Sequence, residues 1–330
     1  MSRMLIVGGL LVAGLMFAVA AFAATIVVQP QVPQGWYFQT VGGTASGGYQ
    51  NGPGSPPLGT GSLRLTVGAL GDDFVALRNI NYNGVPLSSL TSLSYDTYIQ
   101  AHNGCVAPYL MLSVDIDGDG VFNPSGLDDA LFFEPCYQNG TYITSPPGQT
   151  ILPQNGGGPN PTTVGGWQHW EALTSAGWWS ANYGGAGGPP LTTIAQYILD
   201  HPGAKIVNTD ACLGGVRIRA GAGAPVWNNF DGNVDNFTIG VSGNNTTYNF
   251  ENGPLPIATC TPPLPPTPVP VRLVGGTGSF VDDSTGASAA QDGTAPAGGS
   301  SPLSTPGVAL AVGAAALIAG SAAWYARRRV

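Results

Sequence analysis

The run Asp115-Ile116-Asp117-Gly118-Asp119-Gly120 holds the most pointed chemistry in the chain. Carboxylates at loop positions one, three and five, with glycine at six, are how a calcium loop of the EF-hand type begins. Asn123 falls at position nine and would reach the ion through water. At position twelve, where such a loop carries a bidentate Glu, this chain has Gly126, so Asp128 or Asp129 would have to close the coordination shell. The flanks read as strands, so the expectation is a structural calcium site in a hairpin, with an affinity of about 0.1–1 mM. Three Asp in five residues repel one another when no cation is present. The competing reading is a solvated acidic loop.

Aromatic residues supply a second candidate. Trp167-Gln168-His169-Trp170-Glu171 is followed by Trp178-Trp179, with Tyr183 close behind. Exposed rings flanked by polar side chains can stack on sugars, so Trp167, Trp170, Trp178, Trp179 and Tyr183 are candidate ligand residues. Strand alternation puts Trp167 and His169 on one side and Trp170 on the other. Some of these rings should therefore be exposed while others fill a core.

Catalytic constellations are weak. Glu134, Glu171 and Glu251 are far apart, and no spacing suggests a glycosidase pair. His102, His169 and His201 lack zinc-ligand spacing. There is no nucleophile elbow and no phosphate loop. Glu171 with His169, beside the tryptophans, is the one enzymatic pair that can be named. Whether the chain is an enzyme stays open, with the balance against it. Asn139, Asn236, Asn244 and Asn245 lie in N-x-T sequons, relevant in a host that glycosylates them.

The elements that must position these residues begin with the compartment. Residues 1–23 carry Arg3, an apolar run from Met4 to Phe22 and a closing Ala21-Phe22-Ala23, the pattern of a cleaved signal peptide. Residues 306–326 are an uncharged segment long enough to span a bilayer, and the cytoplasmic tail 327–330 contains Arg327-Arg328-Arg329. The expected placement is a cell-membrane protein with an extracellular ectodomain and a cytoplasmic C-terminus. Between the two ends, six basic residues face 18 acidic ones, a net charge of −12. That charge, with Lys205 as the single lysine, excludes a nucleic-acid partner.

In an oxidising compartment Cys105, Cys136, Cys212 and Cys260 should form two disulfides. Tyr109–Val114 and Ala130–Glu134 read as an antiparallel pair whose outer ends bring Cys105 opposite Cys136. Cys212–Cys260 is then left by subtraction.

Gly (50) and Pro (29) are about twice as frequent as usual, which disfavours a helical bundle. Strands are expected at Thr25–Val28, Trp36–Thr40, Ser62–Val67, Asp73–Ile80, Ser92–Gln100, Gly215–Ala220, Val234–Ile239 and Thr246–Glu251, besides the two above. Thr44–Gly61 and residues 145–166 read as loops. One helix is expected over Leu191–His201, capped by Thr192 or Thr193 and stopped before Pro202. The fold class is all-β: an antiparallel, jelly-roll-like β-sandwich over 24–252 with one short helix, plus a C-terminal transmembrane helix. Residues 253–305 form a stalk, Pro-rich and then Gly/Ser-rich.

Val234-Asp235-Asn236-Phe237, followed by Tyr248-Asn249-Phe250-Glu251, resembles the closing strands of jelly-roll, galactose-binding-like modules in secreted carbohydrate-active proteins. The resemblance implies that Asp235 helps to hold a structural calcium or an N-terminal turn. Signal, sandwich, stalk and Arg-ended tail together resemble prokaryotic cell-surface proteins with a sorting-type tail, although no LPxTG motif is present. That resemblance implies placement and no activity. Three functions remain in view. The first is a calcium-stabilised binding or adhesion module for an extracellular glycan or surface protein. The second is a structural coat protein without a small ligand. The third is a glycan-cleaving enzyme.

Overall fold

Apolar residues that alternate with polar ones along short, glycine-bounded segments need a second layer to cover them. The computed structural model describes residues 23–123, 127–180, 188–210, 213–254 and 257–259. Its strands are β1 (Ala23–Val28), β2 (Trp36–Val41), β3 (Ala45–Asn51), β4 (Gly61–Val67), β5 (Phe74–Asn79), β6 (Leu90–Ala101), β7 (Tyr109–Asp115) and β8 (Asp129–Phe133). They continue with β9 (Trp167–Glu171), β10 (Trp179–Ser180), β11 (Lys205–Ile206), β12 (Asn208–Asp210), β13 (Leu213–Gly214), β14 (Val216–Gly221), β15 (Phe230–Val241) and β16 (Asn244–Phe250).

These strands build two facing sheets, a β-sandwich. The first is organised around β15. One edge of β15 pairs with β4 and then with β16, and its other edge pairs with β6. Beyond those neighbours lie β3, β1 and β9. The second sheet runs β10-β8-β7-β14-β5-β2, with β11 on the end of β7. Pairing in the two sheets is antiparallel except that β1 lies parallel to β16 over six registered pairs. Local alternation cannot specify that exception.

The core sits between the sheets. In β4, Leu63, Leu65 and Val67 point inward and Arg64 points out, and in β6 Leu93, Tyr95, Thr97 and Ile99 point inward, as their spacing predicts. Trp36 is fully buried and meets Phe237, Tyr248 and Phe250 edge-on at 5.2–5.4 Å. A fully buried ring contributes roughly 1.5–3 kcal/mol over leaving it exposed.

One α-helix occurs among the described residues, α1 (Ile194–Asp200). The Thr193 hydroxyl accepts from Gln196 N at 3.2 Å to cap it. Cys105 and Cys136 form a disulfide with Cα atoms 5.3 Å apart, and it ties the start of β7 to the end of β8. Cys212 and Cys260, the signal segment 1–22 and the proposed membrane span 306–326 lie outside the described residues. No helix among the described residues is long and apolar enough to cross a membrane.

The segment 44–61 departs from the expected loop because β3 forms within it. Ala45-Ser46-Gly47-Gly48 has no apolar rhythm, but the outer edge of β4 needs a backbone partner. Gly47 is there for a steric reason: a Cβ would stand 2.4 Å from the Phe38 ring.

Candidate functional site

Two constellations stand out, one at the end of the second sheet and one on the outer face of the first. The first is the acidic loop. Asp115 ends β7, and since Val114 is registered with Asp129, Asp115 lies beside Asp128. Both are buried, while Asp117 is exposed. Carboxylate oxygens of Asp115, Asp117 and Asp128 lie within 4.8 Å of one another.

Backbone amides hold this loop in shape. Asp115 accepts from Gly118 N (2.6 Å) and Gly120 N (3.1 Å). Asp128 accepts from Ile116 N (3.1 Å) and Asn123 N (2.7 Å). Gly118 and Gly120 have φ of 83° and 78°, the left-handed backbone that glycine tolerates best. Burial, with the Asp117 and Asp115 charges in support, pushes the Asp128 carboxyl above the usual range. Three oxygen donors of like charge in so small a volume suit a hard divalent cation.

The other acidic candidates fare differently. Asp119 stands outside the triad, with Oδ1 accepting from Val121 N at 2.7 Å. Asn123 is exposed and uses its backbone amide on Asp128. Asp129 does not close the shell. Strand parity turns it inward beside Leu131 and Phe133, where it accepts from the hydroxyls of Ser180 and Tyr197. Position twelve, Gly126, lies outside the described residues.

The tryptophans do not form one surface strip. Trp170 and Trp178 are fully buried, and Trp179 is buried and stacks on Phe132 at 3.8 Å. The Trp170 ring donates to Thr97 Oγ1 and the Trp178 ring to Ala172 O, both at 2.8 Å. These three indoles are packing residues: β9 turns Trp170 into the core, Trp178 packs on Phe133 just before β10, and Trp179 in β10 lies flat against Phe132. Trp167 alone of the four is half-buried on an outer face, and Tyr183 lies outside the described residues.

The structure gives Trp167 other neighbours. Cross-strand register sets Gly48, Arg64, Asn233, Tyr98 and Trp167 side by side over β3, β4, β15, β6 and β9. Tyr98 and Trp167 meet at 5.6 Å. Arg64 makes a forked pair with Asp231, Nε–Oδ1 at 2.9 Å and Nη2–Oδ2 at 2.6 Å. Gln100 Nε2 donates to Asp231 and Asn233 at 3.1 and 3.0 Å. An open depression of about 360 Å³ lies beside this row, lined by Ser46, Gly48, Gln50, Arg64 and Thr66 among others.

One register step further, Asp235, Asp96 and His169 align. Asp96 Oδ1 lies 3.2 Å from His169 Nδ1, and Asn236 Nδ2 donates to Asp96 Oδ2 at 2.6 Å. That contact with Asp96 raises the His169 pKa. Asp235 is fully buried and accepts from Leu58 N (2.9 Å) and Phe250 N (3.0 Å), so it pins the loop 52–60. The same loop receives the Trp167 ring N–H on Pro53 O at 3.0 Å.

No protein-family model, no curated protein and no solved structure matches the chain. Its functional reading therefore rests on its own residues. Glu171 accepts from Leu173 N and Thr174 N, Glu134 from the Trp179 ring, and Glu251 from Thr60. Each Glu thus holds a turn, a ring or a loop. Tyr98, Arg64 and Asp231 were missed by sequence reasoning. Their grouping depends on the register of strands far apart in the chain, which leaves no local signal.

Proposed function

We propose that this protein is a membrane-anchored, calcium-stabilised module displayed at a cell surface, which binds an extracellular glycan on the open face of its first sheet. The observation that carries the glycan reading is the row Arg64–Asn233–Tyr98–Trp167 beside an open polar depression. Half-buried rings offer an apolar plane, and the Arg64–Asp231 fork with Gln100 offers fixed donors and acceptors for hydroxyls. The acidic triad supports calcium as the element that stiffens the β7–β8 loop. Two facing sheets and the Asp235-pinned loop accord with a jelly-roll module, where the resemblance implies an acidic residue on this strand that holds a turn. The signal pattern and the apolar segment 306–326 support the membrane placement.

The test is a glycan-array screen of the detergent-solubilised full chain, with calcium and with chelator. The expected result is a defined hit that Trp167→Ala and Tyr98→Ala abolish without unfolding the protein. A blank array from folded protein, or a hit indifferent to both substitutions, refutes the glycan site and leaves the coat-protein reading.

A further inference from the structure

The open face of the first sheet constrains the chemistry of the glycan it could hold, through the hydrogen-bonding capacity it has left. The Trp167 ring N–H is spent on Pro53 O at 3.0 Å. Gln100 Nε2 donates to both Asp231 and Asn233, and Asn233 Nδ2 donates to Ser62 Oγ at 2.8 Å. Asn236 Nδ2 donates to Asp96 at 2.6 Å. These indole and amide donors are committed to the protein itself.

The positive charges are committed as well. Along β3, β4, β15, β6 and β9 the basic side chains are Arg64 and His169. Arg64 is forked onto Asp231, and His169 faces Asp96 at 3.2 Å. Glu171, in phase with Trp167 and His169 on β9, adds a third carboxylate, held by the backbone amides of Leu173 and Thr174. Three carboxylates thus share this face with two basic groups, before the buried Asp235 is counted.

Acceptors remain where donors do not. Asp231 accepts three hydrogen bonds, two from Arg64 and one from Gln100. A carboxylate offers about four lone-pair sites, so one is left over. The Asp231 side chain is 23% exposed, which leaves that site within reach of a ligand. A hydroxyl can donate to it. A uronate or sulfate ester needs the reverse, a guanidinium or ammonium not already neutralised. The net charge of −12 between the two chain ends also repels a polyanion before contact.

We propose that this face selects an uncharged, hydroxyl-rich glycan and rejects glycans that carry carboxylate or sulfate, with Asp231 setting the discrimination because it occupies Arg64. The inference rests on the glycan reading above. It is specificity by exclusion: the wrong ligand meets a like charge and finds no free cation.

The test sorts the array screen of the detergent-solubilised full chain by ligand charge. Dextran and dextran sulfate are included as a pair that shares one backbone, with polygalacturonate and hyaluronan as further acidic probes. The expected hits are uncharged glycans, with acidic ones bound about tenfold or more weakly. Tightest binding to an acidic glycan overturns this inference and leaves the glycan reading standing. A blank array refutes both. Asp231→Asn keeps an acceptor but releases Arg64, so it should narrow the gap between acidic and uncharged ligands severalfold. A folded Asp231→Asn protein with the gap unchanged overturns the proposal. Should that variant fail to fold, the unaltered protein is compared in 20 and 300 mM NaCl. Salt screens repulsion, so the exclusion of acidic glycans should relax. An acidic signal that instead falls as salt rises overturns the proposal.

Discussion

Calcium should stabilise this protein by an amount that can be calculated in advance. Asp115, Asp117 and Asp128 hold carboxylate oxygens within 4.8 Å of one another, and two of the three are buried. A cation that binds only the native state adds RT ln(1 + [L]/Kd). At 5 mM calcium and a Kd of about 0.1–1 mM, that is roughly 1–2.3 kcal/mol. For a domain of this size each kcal/mol moves Tm by about 2–4 °C, so the expected rise is roughly 2–9 °C.

Asp117→Asn provides the diagnostic contrast. It is exposed, so its loss does not disturb packing. In chelator the variant should melt at or slightly above the native temperature, because one charge that raises the Asp128 pKa is gone. In calcium it should lose most of the rise. Differential scanning calorimetry on both proteins, with and without calcium, decides the matter. A native Tm indifferent to calcium refutes the cation reading, and so does a calcium shift that survives in Asp117→Asn.

Stability should also fall as pH rises from about 4.5 to 7 because of Glu134, whose carboxyl burial pushes up from its ordinary 4.5 to about 7 in the folded state. The folded state keeps that proton to higher pH than the unfolded state, so the stabilisation is present below about 4.5 and lost above 7. Glu134→Gln, which retains an acceptor for the Trp179 ring, should match the native protein at pH 4 and exceed it at pH 8 by of order 3 kcal/mol in urea titrations. Trp178→Ala should cost about 3–5 kcal/mol by the same measurement, since its fully buried ring packs on Phe133 and donates to Ala172 O. Reduction of Cys105–Cys136, which closes a 31-residue separation, should lower stability by about 3–4 kcal/mol in a melt with and without reductant.

Particular residues show what could be read from the sequence and what could not. β4 and β6 were legible because one face of each meets the core and the other meets polar surroundings, so alternation reports burial directly. The Cys105–Cys136 pairing was legible because it follows from a local hairpin. In β14, Val-Arg-Ile-Arg-Ala has the same alternation, yet every residue is buried. Alternation identifies two faces but is silent on whether the polar one is covered. The same gap separates Trp167 from Trp178 and Trp179, since strand periodicity sorts rings onto faces without saying which faces are open. Asp128 and Asp129 were not distinguishable by pattern, because Ala130 and Phe132, in phase with Asp128, are as apolar and buried as Leu131 and Phe133, in phase with Asp129. Tyr98 and Arg64 were not legible either, because only long-range register brings them beside Trp167.

The parallel pairing of β1 with β16 has a mechanical consequence. β1 opens the described chain and β16 is its last strand, and they run in the same direction over six registered pairs from Ala23↔Asn245 to Val28↔Phe250. A pull applied at Ala23 and at the chain beyond Phe250 drags the two strands lengthwise past each other. Their ladder is then loaded in shear, with the hydrogen bonds sharing the force together, whereas a hairpin opened from its free ends unzips one bond at a time. Tension between the two ends of the sandwich therefore meets its stiffest contact first.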